Sequence, residues 1–268
     1  CQVATTDFGA GSNTLNSSGT ITVTNSSLPG TSNHALIQAT GASAFSMINS
    51  GMINMQDSLL NGLLTVKPVG SGSFVTNGGT LKLDTQVAGD FAPSDILQVD
   101  GSITANSPTA INITDAGGPP ALTSSPNGGI PLVKYTGTSA ANAFTMADFV
   151  KGEFTYRLRH DTINKMWKLV NLRCTASKNP AYEAETVSIT CEGVEPGEKI
   201  TIPGTNCQQA VASSDTITCT ASKAKDIGPN PTISIFDAAG NPRSSPDAAL
   251  SIYAATLAIS VNNQIADG

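Results

Sequence analysis

Apolar and polar residues alternate in short runs along the first 170 residues or so. Thr20-Ile21-Thr22-Val23-Thr24 and Thr80-Leu81-Lys82-Leu83-Asp84 each put their aliphatic side chains on one face, the mark of a half-buried strand. Gly, Asn, Ser and Pro cut every such run before a helical period develops. The chain is predicted to be β almost throughout, with a single turn of helix expected within 140–150.

The runs recur in a fixed context. Ser17-Ser18-Gly19-Thr20-Ile21-Thr22-Val23, Asn49-Ser50-Gly51-Met52-Ile53-Asn54-Met55 and Asn77-Gly78-Gly79-Thr80-Leu81-Lys82-Leu83 share a polar turn, a glycine and an apolar alternation. Asp100-Gly101-Ser102-Ile103-Thr104 follows the pattern more loosely. Second runs, Ala35-Leu36-Ile37-Gln38-Ala39 and Leu63-Leu64-Thr65-Val66, lie between them. A constant turn-strand unit at variable spacing suits a coil whose loops differ from rung to rung. A rung of about 20–30 residues cannot bury its own apolar face, and stacking rungs buries a continuous stripe. The expected fold is therefore a right-handed parallel β-helix of about six rungs, strands about 4.8 Å apart, with an irregular β-sandwich as the alternative.

The open end of a solenoid exposes unpaired backbone groups and needs a cover. Residues 153–172 fit that task. Phe154, Tyr156 and Leu158 alternate with Thr155, Arg157 and Arg159, a polar turn follows, and Met166-Trp167-Lys168-Leu169-Val170 returns. The reading is an antiparallel hairpin whose Phe154, Tyr156, Leu158, Trp167 and Leu169 plug the core end. Its basic residues, with Lys151, Lys165 and Lys168, are expected on a solvated outer face. Arg157, Arg159 and Lys165 are the candidate contacts for a ligand.

Composition divides the chain. Five of the six Glu and four of the five Cys lie after residue 172, which places a domain boundary there. The expected organisation is rungs over 1–78, the capped end of the solenoid over 79–172, a small sandwich over 173–260 and a linker or tail over 261–268. The sandwich rests on strands every 10–15 residues, among them Thr186-Val187-Ser188-Ile189-Thr190-Cys191, separated by Pro-Gly and Gly-Asn turns. Cys174, Cys191, Cys207 and Cys219 allow three pairings. Sequential pairing, Cys174–Cys191 and Cys207–Cys219, closes the shortest loops and is favoured, which implies an oxidising compartment. Cys1 is then odd, and the chain's start without Met or an apolar leader reads as an excised or processed fragment.

The order of pieces resembles a known family. Gly79-Thr80-Leu81-Lys82-Leu83, Ser94-Asp95-Ile96-Leu97-Gln98-Val99-Asp100-Gly101, Gly129-Ile130-Pro131-Leu132-Val133, and Gly152-Glu153-Phe154-Thr155-Tyr156-Arg157-Leu158 closing on Trp167-Lys168-Leu169 together resemble the pertactin-like autochaperone module of Gram-negative autotransporter passengers. The resemblance implies a β-helical passenger of type V secretion, displayed at the outer membrane or released. It also implies a module that promotes passenger folding and a partner outer-membrane β-barrel translocator outside this stretch. Five cysteines depart from that family's habit of few. Glu195-Pro196-Gly197 and Asp237-Ala238-Ala239-Gly240-Asn241 resemble bacterial immunoglobulin-like domains.

Charge and motifs narrow the function. A net charge of −6 argues against nucleic acid and anionic membrane as partners. There is no phosphate loop, nucleophile elbow or His-Glu-x-x-His motif. His34 and His160 are expected to be solvated turn residues. Asp84, Asp90, Asp95 and Asp100 are read as turn caps, against the alternatives of a glycosidase carboxylate pair or calcium ligation. The expectation is a monomeric, non-catalytic adhesin or virulence factor that meets a host receptor or glycan and has no cofactor. A polysaccharide-active β-helical enzyme and a trimeric tail-spike-like fibre are the alternatives.

Overall fold

A computed structural model describes residues 4–24, 34–123, 128–152, 154–214, 216–243 and 250–254. Cys1, Glu153 and the expected tail 261–268 lie outside the described residues. The chain divides into two compact units, Cys1–Leu172 and Arg173–Gly268.

The first unit is a parallel β-solenoid whose rungs each contribute one strand to three sheets. The first sheet stacks Ala4–Asp7, His34–Gln38, Leu63–Val66, Ile96–Val99 and Ile130–Tyr135. The second stacks Gly11–Ser17, Ala42–Asn49, Phe74–Asn77 and Ile103–Ser107. The third stacks Thr20–Thr22, Met52–Asn54, Thr80–Thr85, Thr109–Asp115 and Phe144–Thr145. Among the described residues four rungs have strands in all three sheets and a fifth in two, rather than the six expected. The register explains the shortfall. Ala4 pairs Ala35, Ala35 pairs Leu64, Leu64 pairs Leu97 and Leu97 pairs Val133, so a rung consumes 31, 29, 33 or 36 residues.

Equivalent side chains stack into ladders because in-register parallel strands bring like positions together. Ile37, Val66, Val99 and Tyr135 form one interior column. Leu15, Met47, Phe74 and Ile103 form a second. Ile21, Ile53, Leu81 and Ile111 form a third. All but the first-rung members are buried. One column is polar: Ser17, Asn49 and Thr76 stack inside the corner after the second sheet.

The glycine repeat has a steric cause. A Cβ on Gly51 would lie 2.0 Å from the Gly19 carbonyl oxygen, and one on Gly79 2.2 Å from that of Gly51. The rungs touch backbone to backbone at this corner, where Met52 N–H donates to the Gly19 carbonyl and Thr80 N–H to that of Gly51. Gly101 belongs to a different corner. It precedes the second-sheet strand Ile103–Ser107, and Gly137 N–H donates to its carbonyl. The loose fourth repeat is thus a look-alike from another turn of the rung. The helical turn expected within 140–150 is also absent. Phe144–Thr145 and Phe149–Lys151 are short strands there.

The second unit is mainly antiparallel. Residues Arg173–Ala176 pair with Val187–Glu192, which pairs with Thr216–Ala221. A second sheet orders Ala210–Val211, Lys199–Thr201 and Ser234–Phe236. Ala181–Tyr182 pairs in parallel with Ile252–Tyr253. Ala224–Ile227 is the one helical turn among the described residues. Disulfides join Cys174 to Cys191 and Cys207 to Cys219, the sequential pairing. Val187, Ile189, Ile200, Ile202, Ile233 and Ile235 are fully or almost fully buried.

The glycine column yields a paired test. Gly51→Ala should lower stability by about 1–3 kcal/mol through forced separation of two rungs. Gly19→Ala, with nothing within 4 Å of the added carbon, should be close to neutral. Urea unfolding midpoints measure both.

Candidate functional site

The end of the solenoid closes on an antiparallel hairpin, Phe154–Asp161 with Met166–Ala176, in register from Thr155 opposite Leu172 to Asp161 opposite Met166. Its turn is set by Asp161, whose two carboxylate oxygens accept from the Asn164 backbone and side-chain N–H groups at 2.9 Å each. The returning strand then pairs antiparallel with the last first-sheet strand, Ile130 opposite Leu169 and Val133 opposite Trp167. The edge that the parallel coil would leave open is thereby bonded.

The aromatic residues sit where the core ends. Trp167 and Leu169 belong to the buried cluster that runs through the rungs. Trp167 meets Phe144 edge to face at 5.5 Å, and its indole N–H donates to the Ser139 hydroxyl at 3.0 Å. Leu158 is 7% exposed and belongs to the same cluster. Tyr156 is fully buried and clamps Ala121, its hydroxyl donating to the carbonyl at 2.7 Å and accepting from the N–H at 3.1 Å. Asn171 and Thr123 are tied by reciprocal bonds of 2.6 and 2.8 Å. Phe154 is half-buried, 6.4 Å from Tyr156.

The expected solvated basic face does not exist as one patch. Arg157 is fully buried, and Lys168 is 1% exposed with its ammonium 2.6 Å from the Asp161 carboxylate. The reason is that both faces of the strand Phe154–Asp161 are covered at its middle: Tyr156, Arg157 and Leu158 are buried in succession, so alternation leaves no wet side there. Lys151 bridges the Asp115 carboxylate at 2.7 Å and the Val87 and Gly117 carbonyls. Arg159 is half-buried. Lys165 is exposed and donates to the Thr136 carbonyl at 2.6 Å. Burial of the Asp161 carboxyl would raise its pKa. The Asn164 donors and the Lys168 ammonium outweigh that and hold it at about 2.

His160 is a second correction. It lies in the strand rather than the turn, half-buried, with its ring stacked flat on Trp167 at 4.3 Å and 4°. Its Nε2 and the Tyr135 hydroxyl are hydrogen-bonded at 2.8 Å. His34 is likewise a strand residue, with Nε2 2.7 Å from the Thr65 hydroxyl.

Three of the four aspartates bind the chain's own backbone, and the fourth binds its side chains. Asp84 accepts from the N–H groups of Asp57 and Ser58 at 2.8 and 2.6 Å, and Asp95 from those of Gly62 and Asp84 at 2.8 and 2.9 Å. Asp90 accepts from Gly129 N–H at 2.6 Å. Asp100 accepts from the Gln98 side chain and lies 3.9 Å from the Lys67 ammonium. Burial, opposed by its two N–H donors, raises the Asp95 carboxyl to about 6. These carboxylates tie successive corner loops together, as turn residues do.

Because burial lowers the His160 pKa against the pull of Asp161, the folded imidazole takes up a proton less readily than the unfolded one. Its contribution is complete above pH 6.5 and is lost as the pH falls through the lowered value. Urea midpoints should therefore drop more steeply from pH 8 to pH 5 in the wild type than in His160→Phe, which keeps the stacked ring without the titration.

Residues 47–158 match the family model described as Autochaperone Domain Type 1. The match begins at Met47, upstream of Gly79, and ends at Leu158 within the hairpin's first strand. A search of curated proteins found no match. The family match supports an autotransporter passenger module built on this β-solenoid, and that family implies a secreted or surface-exposed passenger of Gram-negative bacteria.

Proposed function

We propose that the chain is a non-catalytic part of an autotransporter passenger that acts in adhesion or host interaction, with the capped end of the solenoid starting the folding of the rungs. The observation that carries the folding role is the hairpin bonded across the last rung, with Trp167 inside the continuous core. Rungs add one at a time onto an existing edge, so a closed, aromatic-filled end supplies the first stable template. The engagement of Asp84, Asp90, Asp95 and Asp100 with the chain's own groups supports a structural rather than a hydrolytic role for them. The second unit, with its two three-stranded antiparallel sheets and two disulfides, is read as an immunoglobulin-like sandwich carried with the passenger. Its partners are a host receptor or glycan and the passenger's own barrel.

Trp167→Ala should cost about 3–5 kcal/mol in urea unfolding and slow refolding of the whole solenoid. Unchanged refolding kinetics would remove the templating role. For adhesion, bacteria displaying this passenger through its barrel should adhere to host cells more than bacteria displaying the barrel alone, and purified chain should compete. Equal adherence in both strains would overturn that part.

A further inference from the structure

Tyr182 and Tyr253 come from opposite ends of the second unit's sequence and meet in one parallel strand pair. Ala181 lies opposite Ile252, and Tyr182 opposite Tyr253. Strand alternation turns Ala181 fully inward and both phenol rings outward, 53% and 54% exposed. The rings stand 6.3 Å apart at 50°, an open V rather than a closed stack.

The backbone beneath them is pinned on both sides. Ala181 N–H donates to the Ser251 carbonyl at 2.8 Å and Glu183 N–H to the Tyr253 carbonyl at 3.0 Å. Ser251 N–H donates to the Asn179 side-chain oxygen, and Tyr182 N–H to the Glu185 carboxylate, both at 2.9 Å. Glu185 is in turn paired with Lys178 at 2.7 Å. Two large rings are thus held in place without being packed away, with the Lys178–Glu185 ion pair bonded to the backbone of one of them.

We propose that Tyr182 and Tyr253 form a saccharide-binding platform that stacks the C–H faces of uncharged sugar rings. The proposal rests on the adhesion reading above and narrows it to one ligand class. The electron-rich face of a phenol attracts the weakly positive C–H face of a pyranose, and the charged neighbours supply hydrogen bonds to its hydroxyls. A protein partner would need about 800 Å² of surface per side with an apolar centre. Two rings beside the Lys178–Glu185 pair offer much less. The chain's charge of −6 and the local Glu185 carboxylate disfavour sulfated or sialylated chains, so the sugar is neutral.

The test uses the full chain with both disulfides intact. The probes are linear β-1,4-glucose and β-1,4-N-acetylglucosamine oligomers and a galactose-terminated oligosaccharide, with heparin as the anionic control. At least one neutral oligomer should shift the NMR resonances of both tyrosine rings. Tyr182→Ala and Tyr253→Ala should each weaken that binding about tenfold, equivalent to ~1.4 kcal/mol. Tyr182→Phe should bind like the wild type, since the stacking face remains. Ring shifts with heparin alone, no response to any neutral oligomer, or unchanged binding in the double alanine variant would each overturn the platform. Cell adherence that survives the double variant would sink the platform and leave adhesion standing. Glycan binding by a passenger that does not promote adherence would do the reverse.

Discussion

Contact between neighbouring rungs holds the first unit together. A single rung surrounds nothing. Its aliphatic side chains are shielded only when the rungs above and below supply the same kind of side chain at the same height. Columns such as Ile53, Leu81 and Ile111 are the result, and they account for a core built from modest aliphatics in a chain with 5% aromatic residues. The same constraint dictates the glycines at residues 51 and 79, where the backbone of the preceding rung passes too closely for any side chain.

A stack of this kind is only as secure as its last layer. The final rung is covered by a change of strand direction: the hairpin pairs antiparallel with Ile130–Tyr135 and brings the single Trp into the core. Around that indole the structure gathers Phe144, His160 and, through His160, Tyr135. The hairpin is further buckled to the incoming chain by Tyr156 on Ala121 and Asn171 on Thr123. The end thus continues the core that runs through the rungs and closes it with aromatic side chains. The second unit solves its stability differently, with antiparallel sheets and covalent links of short sequence separation, 17 and 12 residues, which restrict its unfolded chain.

Several features could be read from the residues because their causes are local. Alternation marked strands such as Thr80–Thr85, and the glycine repeat marked a rung corner. The aromatic hairpin announced a capped end. Gly101 misled because a turn before a strand looks alike at every corner, and only register tells the corners apart. Arg157 misled for a related reason. Its alternation is that of a strand with one wet face, yet Tyr156, Arg157 and Leu158 are buried in succession, so both faces of the strand are covered there. His160, two residues before the turn, gave no signal of the stack it makes, since that depends on which residue stands opposite across the hairpin.

From its amino acids alone the chain was committed to short strands, to a repeating coil and to a division near residue 172, because periodicity, glycine spacing and composition act over a few residues or over whole segments. How many rungs form, which basic side chains are buried, and that Tyr182 lies beside Tyr253 came from folding in space. Those outcomes depend on pairings between residues distant along the chain, and no local pattern encodes which distant strand will arrive alongside.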